Sequence, residues 1–501
     1  MSSPETSPAT APIGGLGVIE TAGIEIIAES ERTAKPRDLI WPWFAANVSV
    51  FGMSYGSYLL GFGISFLQAT IVAVIGIVIS FMLCGLVAIA GKRGSVPTMV
   101  LSRAAFGVHG QKVPGVVSWL TSIGWETVLA ISAVLATATV FDVLGIASGT
   151  AVTVIAAILI AALIVGASVL GYHTIMRMQS ILTWATGAMT ILFMVLTIPH
   201  IDWQAVASMP HGSPQAMIGA LVMVMTGFGL GWINIAADWS RYQKRSASDG
   251  SIVLWNTVGG AAAPVVLVIF GLLLAGSDEG LSGAIEMDPI GALVTILPLW
   301  ALIPFWIVAV LTLVSGAVLG IYSSGLTLIS LGIRIPRPAA AAIDGLILTV
   351  GTIWVVFFAA SFIGPFQSFL ITLGVPIAAW AGILIADVLS RRTAYDEKAL
   401  FDPAGRYGAF DWTSIITMVL ASVLGWGLVV NSDADAAPWN NWQGYLLEPL
   451  GLGTFVEDPA GSYWDGNWAY SNIGVLLALV LGFAVTFVAR RGKIRRQEQE
   501  A

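Results

Sequence analysis

The sequence predicts an all-α polytopic membrane protein of twelve transmembrane helices, ten in a five-plus-five inverted repeat and two appended. Three observations predict it. The 501 residues are 57% hydrophobic and only 10% charged, whereas soluble proteins carry about 25% charged residues. Apolar runs recur at the roughly 20-residue length that crosses a bilayer as a helix. Two of those runs, five apart, are crowded with glycine.

In chain order the spans are expected near 41–62, 67–90, 114–140, 150–170, 180–198, 216–237, 254–275, 299–331, 341–361, 365–388, 411–430 and 471–489. The basic residues test the count. All 22 Lys and Arg fall in the two tails and in the loops after spans 2, 4, 6, 8 and 10. They include Arg32, Lys92, Arg103, Arg177, Arg241, Arg334, Arg391 and Arg490. A miscounted span would split this set. The positive-inside rule then makes both termini cytoplasmic in the cell (inner) membrane.

Residues 1–38 are Ser/Thr/Pro/Ala-rich at their start and lack a basic stretch followed by an apolar one, so they are expected to be a disordered cytoplasmic tail. The transporter core is expected over 39–392, with repeats at about 41–198 and 216–388. A cytoplasmic loop follows at 393–410, then spans 11 and 12 within 411–489, then a basic cytoplasmic tail at 490–501. The opposite side carries acids and aromatics. Asp278, Glu279, Glu286 and Asp288 lie in 276–290, and the 431–470 loop interleaves Asp433, Asp435, Glu457 and Asp458 with Trp439, Trp442, Tyr445 and Trp464. Tryptophan at this density favours the headgroup layer, so this loop reads as a surface-lying or re-entrant hairpin. The single cysteine, Cys84, lies within an apolar run and reads as a small buried hydrophobe.

Span 1 reads NVSVFGMSYGSYLLGFGISF and span 6 reads MTGFGLGWINIAADWSRY. Glycine inside a helix costs about 1 kcal/mol relative to alanine, although it also permits close packing in lipid. Spans five apart cross in opposite directions, and interrupted helices at corresponding positions of two opposed halves point to an inverted-repeat transporter. Where such helices unwind, freed carbonyls and amides can hold an ion and a substrate at the midplane.

Glu126 follows Trp125 near the middle of span 3, and the other span acids, Asp142, Asp238, Asp344 and Asp387, fall at predicted span ends. An ionised acid at mid-depth costs at least about 2.5 kcal/mol unless a cavity or partner receives it. With every Lys and Arg outside the spans, the choices are a protonated acid, a hydrogen-bonded structural acid or an acid facing a wet site, and the wet site is favoured.

Several stretches resemble the purine–cytosine permease branch of the nucleobase:cation symporter-1 family. They are WFAANVSVFG in span 1, VPTMVLSRAAFGVHGQKVPGVVSWLTSIGWE at 96–126, AADWSRY at 236–242, IYSSGLTLISLGIR at 321–334, AWAGILIADVLSRR at 379–392 and YDEKALFDPAGRYGAFDW at 395–412. The likeness runs through about 36–490 and implies a LeuT-type fold. It implies symport of a nucleobase or related heterocycle with Na+ or H+ by alternating access, no cofactor, and a chain working as a monomer in the lipid bilayer without nucleic acid. The implied substrate residues are Phe51, Gly52, Trp125, Glu126, Phe228, Gly229, Trp232 and Gln367, with the base sandwiched by rings. The implied cation ligands are Asn47, Val50, Thr312 and Ser315.

Two departures stand out. Relatives often carry an amide one turn after the span 3 tryptophan, where this chain has Leu129, and asparagines near 316 and 320, where it has glycines. Glu126, Asn47, Asn234 and Gln367 are then the polar groups left to recognise a ligand.

Other functions fit less well. His109, His173, His200 and His211 show no metal-ligand spacing, and no phosphate-cradling G-x-x-x-x-G-K-[ST] loop occurs, so neither an enzyme nor an ATP-driven pump is expected. A channel would want rings of like residues. An amino-acid or other small-polar-solute carrier of the same fold is the second reading, although an amino acid's carboxylate would be repelled by an ionised Glu126.

Overall fold

The computed structural model describes residues 23–146, 149–168, 172–333, 335–432, 434, 438–458 and 461–499. Residues 1–22 of the expected tail, Arg334, Asp433 and Asp435 lie outside the described residues. Among those described, nine helices are long and apolar enough to cross a membrane. They are Phe66–Gly94, Lys112–Val143, Thr150–Ser168, Ile181–His200, Pro214–Ser240, Asp249–Ala275, Leu299–Ser330, Pro338–Phe358 and Ile363–Ser390, and they match expected spans 2 to 10. Span 1 is a broken pair, Ile40–Asn47 and Phe51–Leu60. Span 11, Trp412–Trp426, is shorter than expected, and span 12, Gly474–Ala489, bends by 54° into Arg491–Gln499. Twelve spans are consistent with this set.

Local sequence explains where several spans start. Ser65, Ser213, Ser248 and Asp411 cap spans 2, 6, 7 and 11, each side-chain oxygen accepting a backbone N–H of the first turn. Pro214 sits at the first helical position, where its missing N–H costs nothing.

Packing sorts the spans into groups. Span 7 packs on span 2 and on both halves of span 1, and span 2 also packs on span 6. Span 8 packs on spans 3, 4, 5 and 9, and spans 10, 11 and 12 pack together. The first two groups each contain spans and their equivalents five later, 1 with 6, 2 with 7, 3 with 8 and 4 with 9, as opposed repeats require. Apolar side chains such as Ile158, Trp184, Ile191, Leu346 and Val488 are exposed on the outside of this bundle, a surface suited to lipid and not to water.

The segment before span 1 is docked, contrary to the expectation of a free tail through residue 38. Glu29–Glu31 and Pro36–Leu39 form short 3-10 turns. Arg32 is buried, donating to Ser95 Oγ, to Lys92 O at 2.6 Å and to Arg241 O at 3.1 Å. A guanidinium can satisfy several loop carbonyls at once, which polar composition alone does not reveal. The 431–470 loop is more than a lying hairpin. Strands Thr454–Val456 and Tyr463–Asp465 pair antiparallel, and Leu428, Val430, Leu447, Trp464 and Ala469 form a small core. Asn440 and Gln443 tie it to Thr372 of span 10, while Trp439 stays exposed.

At the basic end, the end of span 10 is locked to the segment after span 12. Arg490 donates to Asp387 at 2.6 Å, to Asp411 at 3.2 Å and to Ala104 O at 3.0 Å. Arg391 also pairs with Asp387 at 2.7 Å, and Lys493 with Asp411 at 2.7 Å. Asp387, Asp411 and Arg490 are all at most 2% exposed. Burial alone would raise the Asp411 carboxyl, but the cations beside it, Arg490 first, hold it below the usual range. Its contribution to stability is therefore present above the unfolded carboxyl value and is lost as pH falls through the lower folded one. Arg490→Gln should leave two buried carboxylates short of charge. A loss of about 3–5 kcal/mol is expected, the cost of breaking a buried pair on one side, read as a lower apparent melting temperature of the purified protein.

Candidate substrate and ion site

The two broken spans meet at one cavity. In span 1 the helix stops at Asn47, Val48 turns away at φ −80°, ψ 71°, and the helix resumes at Phe51. The N–H of Ser49 bonds Asn47 O at 3.0 Å rather than reaching back four residues to Ala45. In span 6 the helix stops at Gly227, Phe228 takes φ −117°, ψ −109°, and Gly229–Trp232 forms one more turn before a 3-10 stretch, Ile233–Ile235. The Gly229 N–H donates to Ser80 Oγ of span 2 at 3.1 Å. A Cβ at 229 would collide with the Ser80 main chain, so only glycine allows this approach.

The cavity between the breaks measures about 70 Å³. Its walls include Asn47, Phe51, Gly52, Trp125, Glu126, Phe228, Trp232, Asn234 and Thr312. The structure thus brings together most residues singled out from the sequence, along with Tyr55 and Ser122, which sequence reasoning missed. Tyr55 lies one turn after Phe51 and Ser122 one turn before Glu126, so helical spacing was the signal that could have found them.

Five aromatic rings line the space, those of Phe51, Tyr55, Trp125, Phe228 and Trp232. Trp125 is held edge-on between Phe366 and Phe369, with centroids at 5.7 and 5.8 Å. Phe228 packs on Tyr55 at 4.6 Å, and Trp232 packs edge-on to Trp43 at 6.3 Å. The polar groups are mostly acceptors. Asn234 directs its N–H2 to Ser118 O, Ser118 Oγ and Ser122 Oγ at 3.0–3.2 Å, and Asn47 directs its own to Trp43 O at 2.8 Å. Each amide then has its carbonyl for the cavity. Glu126 is 1% exposed, and neither carboxylate oxygen has a hydrogen-bond partner among the described residues.

Two glycines of span 8, Gly316 and Gly320, lie directly against span 3. A Cβ at 320 would lie 2.6 Å from Glu126 Cγ, and one at 316 would lie 3.0 Å from Leu129 Cδ1. The absence of a side chain at 320 leaves the room that Glu126 occupies.

Four expected site residues lie elsewhere. Gln367 lines a separate outer cavity of about 440 Å³, with Tyr58, Phe62, Glu286, Asn467 and Tyr470. Phe51, Tyr55, Tyr58, Phe362 and Phe366 pack ring against ring between the two cavities. Phe366 and Phe369, on either side of Gln367 in span 10, pack on Trp125, so Gln367 has the depth to reach the site but faces the outer cavity. Gly229 braces the break against span 2 instead of lining the cavity. Val50 is buried and its carbonyl accepts Met53 N–H at 2.8 Å, while Ser315 is buried outside the lining. Thr312 does line it, but its hydroxyl meets Thr186 Oγ1 and donates to Val308 O at 2.8 Å, the local bond that membrane-helix threonines favour.

The expectation that Glu126 is the only acid well inside a span needs correction. Span 9 begins at Arg337, which puts Asp344 two turns in, and its side chain is fully buried. It accepts from Trp119 Nε1 at 2.8 Å and from Ser324 Oγ at 2.6 Å. Asp238 is also buried but bonded to Thr98 N and Oγ1 at 2.8 and 2.7 Å.

Gly320→Ala should drive a methyl into Glu126. The expected loss is about 1–3 kcal/mol of stability, the usual cost of overpacking, together with weaker ligand binding. Gly316→Ala, facing a flexible leucine, should cost less. Thermal unfolding of the two purified variants side by side checks the order.

Comparison with known proteins agrees with the fold. Residues 26–442 match the family model described as permease for cytosine/purines, uracil, thiamine, allantoin. YxlA of Bacillus subtilis (strain 168), assigned by name to the purine-cytosine permeases, is 24% identical over 417 residues, covering 81% of this chain and 87% of that protein. Among solved structures, Mhp1, a nucleobase-cation-symport-1 family transporter, is similar in its closed form with bromovinylhydantoin bound, at TM-score 0.65 and 17% identity, covering 97% of this chain and all of that one. Its inward-facing form gives TM-score 0.68 at 17% identity, covering 96% of each chain.

Proposed function

The chain belongs to the family of permeases for cytosine/purines, uracil, thiamine and allantoin, and from that premise we propose that it imports a nucleobase or a related flat nitrogen heterocycle by cation symport with alternating access. The observation that carries the reading is the cavity at the two helix breaks, where Trp125, Phe228 and Trp232 stand around the acceptors of Glu126, Asn47 and Asn234. Flat rings suit a flat ligand, and stacking on one is worth about 1–3 kcal/mol per base. Acceptor oxygens suit a ligand rich in ring N–H and exocyclic amino groups. A volume of about 70 Å³ suits one small solute. Phe51 and Gly52 complete the substrate wall in this reading, and Asn47 and Thr312 are the best placed of the expected cation ligands. The coupling ion is Na+ or H+.

A thermal-shift screen of purified protein against purines, pyrimidines and hydantoins, with and without sodium, tests the substrate class. A ligand at 100 times its Kd should add about 2.7 kcal/mol of apparent stability. Trp125→Ala should then weaken binding of the best ligand by about 1–3 kcal/mol, and Trp125→Phe should keep much of it. A folded alanine variant with unchanged affinity would remove Trp125 from the site.

We further propose the cell (inner) membrane with both termini cytoplasmic. All 22 basic residues support that orientation. Single cysteines at Asp402 and Glu457, both exposed, in a Cys84→Ala background should respond oppositely to an impermeant thiol reagent outside intact cells. Only the one at 457 should be labelled, and labelling at 402 would reverse the topology.

A further inference from the structure

The two acids deep in the span 3, 8 and 9 interface form a ladder. On span 3, Trp119 and Glu126 are two turns apart on one face. On span 8, Gly320 backs Glu126 and Ser324 follows one turn later. Span 9 brings Asp344 against both rows, bonded to Trp119 and to Ser324. Ser324 therefore stands one helical turn beyond the residue that Glu126 packs against, yet neither Glu126 oxygen is bonded to anything described.

No described cation offsets these acids. Span 4 and the short helix Gly291–Thr295, which also pack on span 3, carry no titratable residue. Tyr322 of span 8 faces Arg241. Asp387 of span 10 is held by Arg391 and Arg490, and Asp288, beyond the far end of span 3, by Thr139. Tyr55, across the cavity, is directed to Gly227 O at 3.3 Å. Lys112 and Asp142 stand near the ends of span 3, and Arg337 is the first residue of span 9. Two carboxylates on either side of one buried serine, without a cation, cannot both ionise cheaply in a medium of low dielectric.

We propose that Glu126, Ser324 and Asp344 form a single proton-binding site that makes the proton the coupling ion, a proposal that rests on the transport reading above. The existing bond sets the direction of transfer. Ser324 O–H already donates to Asp344 Oδ2, so its lone pairs are free to accept from a protonated Glu126 after a side-chain rotation. The transfer is then one concerted hop. Glu126 gives its proton to Ser324 Oγ as Ser324 gives its own to Asp344, leaving a Glu126 carboxylate and an Asp344 acid. Trp119 Nε1–H donates to the other Asp344 oxygen throughout. Asp344 lies about 10 Å from the basic end of its helix, at 1.5 Å per residue, so the hop carries the proton from the ligand cavity toward that end. A substrate whose amino or ring N–H groups take the Glu126 carboxylate would favour the second state, which couples ligand occupancy to proton position.

Two measurements test this, the first without any substrate. Dicyclohexylcarbodiimide, which attacks protonated carboxyls in apolar surroundings, is added to the purified, full-length, ligand-free protein from pH 5 to 9. About one equivalent of adduct is expected over the peptides holding Glu126 and Asp344 together, falling as pH rises, and unaffected by sodium. No adduct at pH 5, two equivalents persisting to pH 9, or protection by sodium at constant pH would each overturn the proposal. The second uses proteoliposomes and the best base from the ligand screen. Asp344→Asn and Ser324→Ala should lose accumulation driven by an imposed pH gradient at least tenfold, yet keep exchange of labelled for unlabelled base within about twofold. Wild-type accumulation by either variant would overturn the relay. A purely structural role would depress both assays together. A protein that passes the labelling test but transports no base would overturn the transport reading and leave the proton site standing.

Discussion

The cavity exists because span 6 is held open against span 2. The Gly229 N–H would otherwise lack a helical partner at the break, and Ser80 Oγ supplies one. That bond requires main chain to touch main chain, which a side chain at 229 would prevent. In lipid an orphaned amide costs several kcal/mol, so the break and its brace stand or fall together. With Phe228 fixed by this turn, its ring meets Tyr55 of span 1, and Tyr55 is in turn directed to Gly227 O. The two broken helices are thereby set face to face, and the space between them is what Trp125 and Glu126 look into.

Much of this was legible in the sequence because the governing physics is compositional. Twenty-residue apolar runs, basic loops on one side and glycine clusters five spans apart require no knowledge of contacts. Glu126, beside Trp125, was legible because an acid stands out chemically within an apolar stretch, whereas Phe228 and Trp232 were legible only through the family resemblance. Some of what failed depended on helix ends. A ninth span counted from 341 puts Asp344 at its edge, but the helix starts at Arg337, and four residues of helix move a side chain about 6 Å. Gln367 failed on facing instead, since Phe366 and Phe369 beside it do reach Trp125. Arg32 was illegible for another reason. Its partners are the main-chain carbonyls of residues 92 and 241 and the Ser95 hydroxyl, and nothing in the local sequence announces which loops the tail will meet.

The missing amides show how a departure from a family pattern can be read. Taken one position at a time, Leu129, Gly316 and Gly320 look like losses of polar contact. In space they are one packed surface between two facing helices, with Leu129 over Gly316 and Glu126 over Gly320. The polar capacity of the wall is concentrated into one carboxylate. An amide has fixed donors and acceptors, whereas a carboxyl changes from acceptor to donor on protonation. The wall has thereby gained a group whose hydrogen-bonding sense depends on its proton.

The lock at the basic end bears on how the chain is made. Asp387 is buried against Arg490, and Asp411 against Arg490 and Lys493. These cations emerge from the ribosome about 100 residues after Asp387, roughly 5–20 s later at common synthesis rates. During that interval Arg391 alone can neutralise Asp387, and Asp411 has no described cationic partner in the finished half of the fold. The end of span 10 can be inserted but not sealed. The final packing of span 10 must therefore wait for the end of span 12 and the short basic helix that follows it.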